Sequence, residues 1–89
     1  MRVKKGFILR DVAGEKVVVP TGDLAKISPN LIVLTESAAL LWEFLQDDFS
    51  PEQLKEETLR NYKHADPEEV VNDILEFIDF LRKIDILEE

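Results

Sequence analysis

The sequence predicts an α+β, winged-helix-like domain: a small N-terminal antiparallel three-stranded sheet followed by three helices. Three observations carry this. Two β-rich runs separated by glycine fill the first third of the chain. Two helix starts of the form Ser/Asp-Pro-Glu follow at residues 50 and 66. Between the β-rich runs and these helix starts, Leu31–Leu45, LIVLTESAALLWEFL, turns from an apolar tetrad into an amphipathic helix carrying the only tryptophan. With 89 residues the chain is one domain, 1–89, large enough for a single core and too small for a cleft between two.

Phe7–Val12 and Glu15–Val19 are separated by Ala13-Gly14, a hairpin signal. Pro20-Thr21-Gly22-Asp23 ends the second run, because proline cannot donate to a ladder and glycine relaxes the turn. Leu24–Ser28 reads as a loop, or as a short strand turning at Pro29-Asn30. Leu31-Ile32-Val33-Leu34 is apolar on both faces, as in a strand covered on each side or awaiting a partner. Two strands alone are marginal in water, so this sheet must pack on helices.

Thr35 is placed to cap the first helix, with Glu36 in its positive first turn. Ala38, Leu41, Trp42 and Leu45 then follow i, i+3, i+4, i+7 spacing and define its buried face. Ser50-Pro51-Glu52-Gln53 is a capping box with proline at N1, and this helix should run to about Tyr62 with Leu54, Leu59 and Tyr62 on its buried side. Asp66-Pro67-Glu68-Glu69 repeats the start signal for a last helix to about Lys83, and Ile86-Leu87 should fold back to close the core.

That last helix carries an anomaly. Val70, Ile74, Phe77, Phe80, Leu81 and Ile84 form one apolar stripe, and Val71, Leu75 and Ile78 widen it to an arc of about 220°. A helix covering a core from one side needs little more than about 100°. The excess edge, rimmed by Asn72, Asp79 and Arg82, is therefore either buried by the sheet or left as a groove for a partner.

Composition removes several function classes. The absence of cysteine excludes disulfides, thiolate zinc sites and a cysteine nucleophile. No apolar run spans a bilayer or forms a signal-peptide core, so the expected compartment is the cytoplasm. The net charge of −8 is uneven: residues 1–34 hold six Lys/Arg against three acids, and residues 35–89 hold five against sixteen, a balance of −11. An acidic helical half repels phosphate backbones and attracts basic peptides, or serves simply as a solvated surface.

The alternative of a winged-helix nucleic-acid-binding or transcriptional regulatory domain needs a third helix that reads bases. Here its first turns offer Glu68, Glu69 and Asp73, with Asn72 the one base reader. The competing class is peptide capture by strand addition, for which Leu31–Leu34 beside a wide apolar helix supplies both parts. The same strand could equally be an edge covered by the protein's own helix.

Leu34-Thr35-Glu36-Ser37-Ala38-Ala39-Leu40-Leu41-Trp42-Glu43-Phe44-Leu45 resembles the L-N-x-[TS]-[AG]-x-x-[LI]-W-x-x-L signature of PqqD-like proteins. These are the precursor-peptide recognition elements of ribosomally made, post-translationally modified peptides. Gly6–Arg10 with Val17–Pro20 is similar to the family's opening hairpin, Ser50–Leu54 to its second-helix start, and Leu81–Leu87 to its ending. Thr35 stands in place of the usual asparagine, and Asp85 in place of the usual glycine at the exit turn.

The resemblance implies a non-catalytic adaptor that binds a leader peptide as an added strand between its third strand and third helix. It then presents that peptide to a modifying enzyme, of radical SAM type in the PqqD system. Carried over, the strand side is Leu31, Ile32, Val33 and Leu34, and the helix side is assigned to Val71, Asn72, Leu75, Ile78, Asp79 and Arg82. The expected partners are thus a precursor peptide and its maturase, with no nucleic acid and no membrane. An unpaired edge also allows either a monomer or a strand-paired homodimer.

Nothing in the chain reads as catalytic or cofactor-binding. His64, the one histidine, sits in a loop between Lys63 and Asp66 and reads as solvated. Asp47-Asp48 and Glu68-Glu69 lack a histidine partner at ligand spacing, so no metal site is expected. The three glycines, Gly6, Gly14 and Gly22, form no phosphate loop.

Overall fold

A computed structural model describes residues 1–22 and 31–89. Leu24–Ser28 and the Pro29-Asn30 turn lie outside the described residues. In chain order the elements are β1 (Arg2–Val3), β2 (Phe7–Val12), β3 (Glu15–Pro20), β4 (Ile32–Leu34), α1 (Glu36–Phe44), α2 (Pro51–Asn61), α3 (Pro67–Lys83) and β5 (Leu87–Glu88).

The hairpin forms where Ala13-Gly14 places it. Both residues have positive φ, 52° and 85°, as a two-residue type I′ turn requires. β2, β3 and β4 then pair in that order as an antiparallel sheet. Leu9, Val18 and Ile32 lie side by side on the core face, and Arg10, Val17 and Val33 on the opposite face.

Register also decides where backbone groups point. The pair flanking a two-residue turn is hydrogen-bonded, and bonded pairs alternate along the ladder. Val12–Glu15 and Arg10–Val17 therefore bond across β2 and β3. Lys16 and Val18 are left to bond with Leu34 and Ile32 of β4. Val33, opposite Val17, consequently turns its N–H and C=O away from β3.

The helices begin at the anticipated caps. Thr35 Oγ1 accepts from Ala38 N at 3.2 Å, and the Asp66 carboxylate accepts from Glu68 N at 3.0 Å. At α2 both arms of the capping box are made, Gln53 N donating to Ser50 Oγ (3.1 Å) and Ser50 N donating to Gln53 Oε1 (2.8 Å). Val18, Trp42, Leu45, Leu54 and Leu81 are the most deeply buried side chains, so the core lies between the sheet and all three helices.

Four details differ from expectation. β1 was not anticipated: it pairs with β5, Arg2 against Glu88 and Val3 against Leu87, and a two-residue strand leaves no periodic trace. Tyr62 is exposed rather than buried, because it caps α2 beyond its last turn, and Thr58 occupies the buried position instead. Phe80 and Ile84, read as part of the buried stripe, are 40% and 37% exposed. Asp85 takes the left-handed φ of 58° that glycine usually supplies. With Asp85 N donating to Arg82 O and Ile86 N to Leu81 O, α3 ends in a full Schellman motif, so the exit turn is retained without glycine.

Candidate functional site: a sheet edge beside the third helix

Ile32 and Leu34 alternate inward onto the core, whereas Val33 is 62% exposed. Among the described residues no strand pairs with the far side of β4. Its outward N–H and C=O at Val33 thus form a polar edge on an otherwise apolar strand, the template a further strand needs.

Where β4 runs into α1 lies a hollow of about 380 Å³. Thr35, Ser37, Ala38 and Leu41 form one wall, at the junction of β4 and α1. Asp73, Glu76, Phe77 and Phe80 form the other, along α3. Thr35 is held by its capping role, which fixes the direction in which the chain leaves the strand. Phe77 is rooted in the core, and Phe80 stands beside it with its ring partly in solvent. The α3 wall therefore offers two aromatic rings bracketed by two carboxylates.

A neighbouring cation is engaged. Lys16, opposite Leu34, pairs with Asp11 at 3.1 Å, and that hydrogen bond raises its pKa, helped by the fields of Asp11, Glu36 and Glu43. Asp73 and Glu76 have no ion-pair partner among the described residues. The hollow is consequently apolar at its floor and acidic at its rim.

The residues assigned from sequence fall into two groups. Leu31 to Leu34 form or adjoin the sheet edge. Val71, Asn72 and Leu75 sit on the opposite flank of α3, lining shallow hollows against Pro51, Glu52 and Lys55 of α2. Ile78 is buried in the core, at 3% exposure. Asp79 pairs with Lys83 at 3.0 Å, and Arg82 pairs with Glu89, a contact that holds the Glu89 carboxylate below its usual pKa. None of these six helix residues lines the hollow at the β4–α1 junction.

Nothing in the sequence pattern singles out Asp73, Glu76, Phe77 and Phe80 as ligand-binding. At about 100° per residue they form the other edge of the same wide apolar arc. Periodicity marks both edges of that arc but not which one faces the sheet.

The family model for coenzyme PQQ synthesis protein D (PqqD) matches residues 15–87. No curated protein matches this chain. A solved structure of TbiB1 in complex with the TbiA(beta) leader peptide is similar, with a TM-score of 0.74 and 18% sequence identity, covering 99% of this chain and 95% of that one. That likeness is one of fold.

Proposed function

Given that the chain belongs to the family of coenzyme PQQ synthesis protein D, we propose that it is a non-catalytic adaptor binding the leader segment of a ribosomal precursor peptide. The segment adds as a strand to β4 and lies in the hollow against α3. It is presented there to a modifying enzyme, for which a radical SAM maturase is our first candidate. TbiB1, of the same fold, is seen with a leader peptide.

The observations that carry this reading are the outward-facing Val33 backbone and, where β4 runs into α1, the hollow walled by Phe77 and Phe80. Main-chain bonds to Val33 supply affinity without regard to sequence, and the aromatic wall selects apolar side chains at alternate positions. We place the helix side of the site on Asp73, Glu76, Phe77 and Phe80, not on the Val71–Leu75 flank.

Panning a phage-displayed random peptide library on the protein, then measuring the best clone as a fluorescein-labelled peptide by anisotropy, tests this. Val33→Pro removes one outward donor and leaves the β3–β4 ladder intact. It should weaken binding at least about tenfold, equivalent to about 1.4 kcal/mol, with an unchanged circular dichroism spectrum. Phe80→Glu should do the same, and Leu75→Asp should leave affinity within about twofold. Loss of binding in Leu75→Asp with retention in Phe80→Glu would return the site to the α2-facing flank. Binding indifferent to Val33→Pro would remove strand addition altogether.

A further inference from the structure

Next to the hollow, and sharing Ser37, Leu41 and Asp73 with it as wall residues, is a second and more enclosed cavity of about 150 Å³. It lies between α1, the end of α2 and the start of α3. Leu41, Val70 and Ile74 give it aliphatic walls. Thr58, at its α2 side, is 7% exposed, and its Oγ1 is buried with no hydrogen-bond partner. Asp73 stands where cavity and hollow meet, with no ion-pair partner among the described residues.

We propose that this cavity is a specificity subsite for a lysine side chain of the peptide held in the groove. The inference rests on the strand-addition reading above and names the kind of leader it selects.

The chemistry narrows the occupant. A purely apolar side chain would desolvate the Asp73 carboxylate without replacing its bonds to water and would leave Thr58 Oγ1 unpaired, which is costly. A carboxylate would meet Asp73 as a like charge. A lysine lays an apolar stem along Leu41, Val70 and Ile74 and brings three donors to Asp73, Thr58 and Ser37. The C-terminal end of α2 also favours a cation there, since Arg60 in its last turn is already committed to Glu57. The N-terminal ends of α1 and α3, which oppose a cation, carry their own acids, Glu36, Glu68 and Glu69. Arginine could also pair with the Asp73 carboxylate, but its broad planar fork is bulkier than an ammonium, and an enclosed cavity of about 150 Å³ suits the compact head.

The selected peptides decide it. Clones enriched on the protein should share a lysine at a fixed distance from an apolar residue. Replacing that lysine by norleucine, which keeps the stem and removes the charge, should weaken binding about tenfold on the unaltered protein. On Asp73→Asn the same replacement should change affinity less than about twofold, and Thr58→Val should lie between. The subsite is refuted if enriched clones lack a lysine, if arginine serves equally well, or if the norleucine peptide binds as tightly as its parent. Any of these results alongside a retained Val33→Pro defect removes the lysine subsite alone and leaves the groove standing. Binding that also ignores Val33→Pro removes both.

Discussion

Single residues in this protein do unusually separable jobs. Val33 contributes little to the core, at 62% exposure, yet its backbone is the open part of the sheet. Trp42 is its opposite, 2% exposed and surrounded by the core. Trp42→Ala should therefore cost about 3–5 kcal/mol by chemical denaturation, because the cavity left behind cannot collapse fully. That loss approaches the whole stability of many small domains, about 5–15 kcal/mol. The Trp42 facing was legible from i, i+3, i+4, i+7 spacing alone. The Val33 backbone direction was not, since it follows from the distance of that residue from a turn in another strand.

At the scale of elements, helix ends are legible in the sequence and helix faces only in part. Caps are local, so Ser50, Gln53, Asp66 and Pro67 announce their helices without help from the fold. Ser50→Ala removes the hydroxyl that accepts from Gln53 N and should lower stability by about 1 kcal/mol, measured by urea melts, while leaving peptide affinity unchanged. The wide arc of α3 was equally plain. Its two edges nevertheless meet different neighbours: Val71 and Leu75 face α2, whereas Asp73, Phe77 and Phe80 face the β4–α1 junction. Two flanks of one amphipathic helix look alike in sequence. Only the hand with which the chain returns from α2 to α3 tells them apart.

Across the whole molecule, charge outweighs pairing. Most ion pairs among the described residues are at the surface, as in Lys83–Asp79 and Arg60–Glu57, and such pairs contribute little each. A net charge of −8 on 89 residues works against compactness. Screening that repulsion should raise the melting temperature by about 3 °C between about 20 mM and about 500 mM NaCl. A fall over the same range would show that the surface pairs dominate instead. Peptide binding should move the other way, weakening with salt as attraction to the acidic rim of Asp73 and Glu76 is screened. The β1–β5 ribbon belongs to this scale too, for it joins the two ends of the described chain and could not be foreseen from either.

The sequence by itself determined the class of fold, the three helices with their caps, the hairpin turn and the buried tryptophan. Each of these depends on neighbours within a turn or two along the chain. The tertiary structure alone decided which edge of α3 walls the hollow at the β4–α1 junction, that Asp85 could replace glycine in the exit turn, and that Thr58 and Asp73 share a cavity. Those outcomes depend on how distant segments are brought side by side, and periodicity carries no record of that.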